Sequence, residues 1–483
     1  MLVFWGAIRN PQSAIRNLTV LLLLLFPQAV PQAVPEDPIE QSLKRFTKVY
    51  SVIEEEYADP VVPEKQIYQG AIPGMLRRLD PYSVFFDAEQ FRTLQQHQEA
   101  KSEGFGTIVT VMPGRVVVLE AFTGSPAARA GIQPGDEILE VNGTRIAWLS
   151  VEEIVEVLSA ARSQRVQMMV FHPSGSRVES IAATPAQLAE SSVDRAFFLR
   201  PGIGYLRISS FENETAGELK KAIEKWGRQL QALVLDLREN HGGVLASAVE
   251  TASLFLPQGA TLLTAQGRKS EAKQFTVEKA DAAGQKLPLV LLVGGRTASA
   301  AEILAGALKD HHRARLVGET TFGKGTVQTV YPLSEGTGLA LATARYVTPS
   351  GRFIERTRTA QGGIRPDVEA PPAGYNEFQA FLESRTEFLE FARKLRAGGR
   401  PIPRDFEVTP QLVDDFRAFL NDQQIPVNEK LWSDNRNFIR TRLKTEIFNL
   451  TFGVAAGDEV AAGADPQVQR AVELLSSALQ ARR

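Results

Sequence analysis

Two apolar runs restrict this chain most: Ala232-Leu-Val-Leu-Asp-Leu-Arg238 and Leu287-Pro-Leu-Val-Leu-Leu-Val293. Runs with so little alternation are the pattern of strands buried on both faces of a parallel sheet. Each ends near a glycine pair, Gly242-Gly243 and Gly294-Gly295, and leads into a helical stretch. After the second pair, Ala300, Ile303, Leu304, Ala307 and Leu308 recur at helical spacing, and a further strand, Ala314-Arg-Leu-Val317, follows. Strands alternating with helices predict an α/β core.

Ser299 falls at one of these strand-to-helix junctions, where free backbone N–H groups and the helix dipole favour negative charge. Most serines and threonines at helix starts are N-caps. Alone, Ser299 or Thr297 fits that role as well as Ser299 fits a nucleophile. Lys324, between Gly323 and Gly325, adds a candidate base, since a lysine kept neutral can activate a serine. A lysine in water has a pKa of about 10.4, so such a base needs an apolar setting, for which Phe322 is the neighbour at hand. Gly318-Glu-Thr-Thr-Phe-Gly323-Lys324-Gly325 also fits most of a Walker A loop. However, Gly325 stands where a Ser or Thr would hold Mg²⁺. Thr326-Val-Gln-Thr-Val-Tyr-Pro332 is strand-like where a phosphate cradle needs a helix N-terminus. The phosphate-loop reading fails.

The block Ser299-Ala-Ala-Glu-Ile, Asp310 eleven positions on, and Phe322-Gly-Lys324-Gly-Thr-Val-Gln328 resembles the carboxy-terminal processing (tail-specific) serine peptidases. The resemblance implies that Ser299 attacks the peptide, that Lys324 is the general base and that Gln328 orients the lysine. It makes Asp310 a candidate accessory acid. Leu235-Asp-Leu-Arg-Glu-Asn-His-Gly242-Gly243 resembles the family's Leu-Asp-Leu-Arg-x-Asn-Pro-Gly-Gly, with His241 in place of the proline. The implied oxyanion donors are the N–H groups of Gly242 and Ala300, each such donor typically worth about 3 kcal/mol. Of the five histidines, only His241 lies near this site, as an alternative base.

The family implies an α/β, ClpP/crotonase-like peptidase core with an inserted β-rich PDZ domain and helical N- and C-terminal segments. Residues 101–182 resemble the PDZ domain. Gly104-Phe105-Gly106-Thr107 fits its carboxylate-binding loop, and the run from Gly124 to Gly143 is its most specific signature. In such a domain loop N–H groups hold a terminal carboxylate while the peptide adds as a strand; Val151 to Leu158 would be the groove helix. The predicted organisation is an N-terminal hydrophobic segment with a Pro-rich link (1–35) and a helical segment (36–100). The PDZ domain (101–182), the peptidase core (183–370) and a helical extension (371–483) follow. Ala71-Ile-Pro-Gly-Met-Leu-Arg-Arg-Leu-Asp-Pro81 resembles a family block and is read as scaffold. In the extension, Leu412, Val413, Phe416, Phe419 and Leu420 form one apolar stripe, and Val472, Leu475 and Leu479 form another.

Arg9 and Arg16 precede the apolar run Leu18–Phe26, closed by Pro27. A bilayer span needs about 20 apolar residues, so this run suits a signal-peptide core instead. Export to a periplasm or cell envelope is therefore predicted, with membrane association only through an uncleaved N-terminus. The formal net charge of −2 gives no electrostatic reason for a nucleic-acid partner. The chain has no cysteine, and no metal-ligand spacing such as H-E-x-x-H occurs, so neither a metal nor a cofactor is predicted. The expected partners are proteins or peptides with free C-termini, and self-association through the helical ends. The sequence thus predicts an exported serine endopeptidase with a Ser299–Lys324 dyad. Its rival is a catalytically inactive PDZ-based envelope adaptor.

Overall fold

The computed structural model describes residues 38–92 and 103–482, apart from 123, 174–176, 188–190, 270, 282, 358–359, 400 and 426. The apolar run Leu18–Phe26 lies outside the described residues. Two compact units meet in the chain at Ala71/Ile72. In the first, the helix Pro38–Glu56 buries none of its residues, and Leu43, Phe46 and Val49 are exposed along it. Among the described residues, no helix is long and apolar enough to cross a membrane.

The second unit is built on a six-stranded sheet. Its order is Val193–Arg200, Ile203–Ile208, Ala232–Asp236, Leu289–Val293, Arg315–Gly318 and Val368–Glu369. The first pair is antiparallel and all later pairs are parallel. Pleating sends alternate residues to opposite faces, and both faces are covered. Leu233, Leu235, Leu289, Leu291 and Val293 pack with the crossover helices Thr215–Trp226, Leu245–Ser253 and Ala300–Asp310. Val234, Val290 and Leu292 pack instead with Val468, Ala471, Val472 and Leu475 of the last helix, Pro466–Gln480. That is why these strands read as unbroken apolar runs.

A second, antiparallel sheet carries the hairpin of Thr326–Pro332 and Gly338–Val347. The short strand Val84–Phe86 pairs with Gly338–Val347 and brings the Asp80–Ser83 turn to this sheet.

The PDZ domain interrupts the chain between these elements. Its entry, Glu103–Gly104, pairs with its exit, Ala186–Gln187. Inside, Thr107–Met112, Arg115–Ala121, Glu137–Val141, Val166–His172 and Arg177–Ala183 form an antiparallel sheet with Thr107–Met112 at one edge. The helix Val151–Ala161, capped by Ser150 and Glu153, lies beside that edge strand.

The helices between Glu377 and Phe452 form a further core around Phe416 and Trp432, which PDZ residue Val117 joins. Both C-terminal stripes seen in the sequence are thus spent inside the chain: Val413, Phe416 and Leu420 in this core, Val472 and Leu475 on the peptidase sheet.

Candidate active site

The strand Leu289–Val293 ends at a sharp turn that presents Ser299. Thr297, fully buried, ties the turn down: its Oγ1 accepts from Gly294 N–H at 3.0 Å and donates to the Leu237 carbonyl at 2.7 Å. Ser299 itself has φ 56° and ψ −119°, a left-handed conformation rare for a residue with a side chain. Such strain costs on the order of 1–3 kcal/mol and persists where surrounding structure enforces it. It is the geometry by which a strand-to-helix turn holds a serine hydroxyl out toward a site. An ordinary N-cap has extended backbone instead.

Next in the chain, the Ala300 N–H opens the helix, is almost wholly shielded from solvent and makes no hydrogen bond among the described residues. Gly242 packs against this turn. A Cβ on Gly242 would lie 2.8 Å from Ser299 Cβ and 3.0 Å from Ala300 N, so only glycine fits. Gly242 N–H, however, donates to Asn240 Oδ1 at 2.8 Å, while the N–H of Gly243 makes no hydrogen bond among the described residues.

The loop carrying Lys324 reaches the same place through Glu302. This carboxylate is fully buried and takes four hydrogen bonds. Oε1 accepts from Thr321 Oγ1 at 2.5 Å and Gly323 N–H at 2.7 Å. Oε2 accepts from Ser299 N–H at 2.9 Å and Lys324 N–H at 2.8 Å. Burial pushes the Glu302 pKa up, and the four donors oppose that rise without cancelling it. Glu302 is not among the residues that the sequence motifs single out for the site. The signal was its position three residues after Ser299, the acid of a capping box.

The Lys324 amine lies 5.7 Å from the centroid of the Tyr82 ring and, among the described residues, makes no hydrogen bond or ion pair. No hydrogen bond joins it to Ser299. Phe322 is exposed, and the aromatic ring that the amine lies over is that of Tyr82. Tyr82 is held by an Asx turn in which Asp80 Oδ1 accepts from the N–H groups of Tyr82 and Ser83 at 2.8 and 2.7 Å. Burial, then the carboxylates of Glu355 and Glu302, push the Tyr82 phenol up. The block read as scaffold, Ala71 to Pro81, is therefore followed directly by a residue that faces the lysine.

Gln328 does not meet the amine. Its Nε2 donates to the Tyr82 carbonyl at 2.5 Å, and a register shift between Val327 and Gln328 interrupts the strict alternation that would align it with Lys324. Asp310 closes the far end of the Ser299 helix, about 15 Å away by helix rise. There it binds Arg352 and accepts from Ser350 N–H at 3.0 Å, which anchors a loop rather than the site. His241 is exposed and, among the described residues, makes no hydrogen bond. Of the predicted residues, Ser299, Ala300, Gly242 and Lys324 are therefore gathered in one place, while Gln328 is linked only through Tyr82.

In the PDZ domain, the Phe105 and Gly106 carbonyls accept from Ala127 and Phe122 N–H at 3.0 and 2.9 Å. Gly106 has φ 71°, and Phe105 packs against the domain core. Gly104 lies in the paired neck, and Thr107 begins the edge strand.

The model of peptidase family S41 matches residues 202–370, and a PDZ-domain model matches 117–170. A model of the N-terminal domain of activating protease CtpB matches 28–90. The carboxy-terminal-processing protease of Bartonella bacilliformis is 31% identical over 369 residues, covering 74% of this chain and 82% of that protein. The carboxy-terminal processing protease CtpA of Bacillus subtilis is 32% identical over 341 residues, 70% of each chain. Among solved structures, a photosystem II D1 C-terminal processing protease is 29% identical, with 69% of this chain and 87% of that chain covered and a TM-score of 0.40.

Proposed function

We propose, for a chain that belongs to the carboxy-terminal processing serine peptidases of family S41, that it cleaves protein substrates with Ser299 as nucleophile and Lys324 as general base. Lys324 Nζ takes the Ser299 proton as Oγ attacks the scissile carbonyl, then gives it to the leaving amine. Water, deprotonated by the same amine, releases the acyl group. The unpaired Ala300 N–H supports its role as one oxyanion donor. The Gly242–Gly243 turn supplies the other once its N–H groups face the site. The observation that carries this reading is the strained Ser299 turn, joined through one Glu302 oxygen to the loop of an unpaired lysine.

The PDZ domain selects substrates by their free C-termini. The edge strand Thr107–Met112 and the helix Val151–Ala161 form the groove, and the loop Gly104 to Thr107 takes the terminal carboxylate. We further infer export through the Leu18–Phe26 segment, and self-association through the exposed stripe of Leu43, Phe46 and Val49.

One specific feature favours the rival adaptor reading: Ser299 and Lys324 are not hydrogen-bonded. In the peptidase reading that bond forms when substrate enters. The two readings separate on a fluorophosphonate probe and an unfolded protein substrate. The wild type should be labelled and should cleave, and Ser299→Ala should do neither while melting within a few degrees of the wild type. An unlabelled, inactive wild type would leave the adaptor.

A further inference from the structure

The strand that leads into the Gly242–Gly243 turn ends on Asp236, and Arg238 sits just beyond it. Arg238 Nη2 donates to Asp236 Oδ2 at 2.7 Å, and Tyr205 OH donates to the same oxygen at 2.6 Å. The other side of the guanidinium faces the C-terminal extension. Nη1 donates to Asp465 Oδ2 at 2.5 Å and to Gln467 Oε1 at 2.7 Å. Burial works against the Arg238 charge, yet the two aspartates outweigh it and raise its pKa.

This arginine stands between the two turns that make the site. Leu237, beside it, accepts from Thr297 Oγ1 of the nucleophile turn at 2.7 Å. Asn240, two residues on, accepts through its carbonyl from Ala298 N–H at 2.9 Å and through Oδ1 from Gly242 N–H at 2.8 Å. A Cβ at Gly294, where the nucleophile turn begins, would touch Arg238 Cβ at 3.7 Å. Gln467 is fixed in turn, since its Nε2 donates to the Ala370 carbonyl at 2.6 Å.

We propose that Asp465 and Gln467, in the C-terminal extension, are positioning residues of the active site: they hold Arg238 and thereby set the 239–243 turn against Ser299. The proposal rests on Ser299 being the nucleophile. Asp465 has two separable tasks. Oδ1 caps the last helix, accepting from Gln467 N–H at 2.8 Å, while Oδ2 binds Arg238. Asp465→Asn keeps a capping oxygen and turns an amide donor toward the guanidinium.

The test uses the full chain, with kcat and KM on a protein substrate, the rate of fluorophosphonate labelling, and melting temperature. Asp465→Asn should lower kcat and the labelling rate about tenfold with KM within about twofold, the pattern of an interaction realised in the transition state. The double variant Asp465→Asn/Gln467→Glu returns a carboxylate to Arg238 but gives up the amide donor to Ala370, and should recover part of the loss. Val472→Ala, on the same helix but against the sheet, should lower the melting temperature and leave kcat unchanged well below it. If the wild type labels, Ser299→Ala does not, and Asp465→Asn matches the wild type, the positioning role is overturned while the nucleophile stands. Equal kcat losses in Asp465→Asn and Val472→Ala would likewise reduce the contact to helix docking. A wild type that does not label would instead remove the reading on which the proposal rests.

Discussion

Glu302 holds Ser299 and Lys324 on a single oxygen: Oε2 accepts the N–H of Ser299 at 2.9 Å and that of Lys324 at 2.8 Å. The nucleophile turn and the lysine loop follow different strands, and this buried carboxylate fixes one against the other. Two flexible loops could not keep a reacting pair aligned, and small misplacements cost orders of magnitude in rate.

Glu302→Gln should therefore damage both activity and fold. The amide offers one oxygen where the carboxylate offered two, and it turns an NH₂ toward two of the four donors. Each buried donor left unsatisfied costs about 1–3 kcal/mol. The variant should lose at least about 100-fold in kcat/KM, in line with about 3 kcal/mol of lost alignment, and should melt several degrees lower. Its pH dependence has a definite sign. The folded pKa of Glu302 is raised from 4.5, so between 4.5 and the raised value the native state binds more protons than the unfolded state. The stability this adds is fully present below 4.5 and is lost as pH rises through the folded value. Melting curves of wild type and variant across that range should show the wild-type margin narrowing as pH rises. A constant margin would show that Glu302 does not titrate differently in the folded state.

Lys324→Arg should be as inactive as Lys324→Ala. A guanidinium keeps its charge at any usable pH and cannot accept the Ser299 proton. Since the amine makes no hydrogen bond or ion pair among the described residues, neither change leaves a partner stranded there, and both variants should melt close to the wild type. Initial-rate assays on an unfolded protein substrate decide it: substantial turnover by Lys324→Arg would pass the base role to another group, with His241, beside Gly242, the first candidate.

The strands of the central sheet were legible because burial on both faces writes a continuous apolar run. Ser299 and Lys324 were legible because each belongs to a short local block. What escaped the sequence depends on contacts between distant segments. Tyr82 reaches the lysine only because Val84–Phe86 pairs with Gly338–Val347, a pairing that three residues do not announce. The resemblance implies that Gln328 orients the lysine, but Lys324 precedes the strand Thr326–Pro332, and Gln328, past the register shift at Val327, binds the Tyr82 carbonyl. Glu302 stands at a helix start in the sequence, and only the folded loop shows what its two oxygens hold. The stripe of Val472 and Leu475 marked an amphipathic helix, but such a stripe fits any apolar surface, and its docking on the second face of the sheet is a tertiary fact.

Tyr82→Phe and Tyr82→Ala should separate the ring from the hydroxyl. The Lys324 amine faces the ring, so Phe keeps the contact and should retain activity within about threefold, since a cation over an exposed aromatic face is worth only about 0.5–1 kcal/mol and is not lost. Ala opens the lysine to water and removes the wall beside Gln328. A loss of about tenfold or more in kcat is expected there, about the 1.4 kcal/mol that a factor of ten represents. Equal activities for Tyr82→Phe and Tyr82→Ala would show that the lysine does not depend on this ring.

Substrate selection is tested at the substrate's own end. The Phe105 and Gly106 carbonyls are spent on Ala127 and Phe122, so the loop's remaining polar groups toward a ligand are N–H donors, beside an apolar groove wall. Donors of that kind favour a free carboxylate and an apolar terminal side chain. Amidating the C-terminus of a model substrate removes the negative charge, and adding Asp-Asp places carboxylates where the apolar side chain should sit. Both changes should raise KM several-fold while kcat changes less, because the chemistry at Ser299 is untouched and uniform binding is what is lost. A variant without the domain's grip, Gly106→Val, should handle native and blocked tails alike. Its new side chain also meets a backbone at φ 71°, which strains a β-branched residue. Steady-state kinetics on the three tails with wild type and variant give the answer, and equal KM for all three tails on the wild type would remove the PDZ domain from substrate choice.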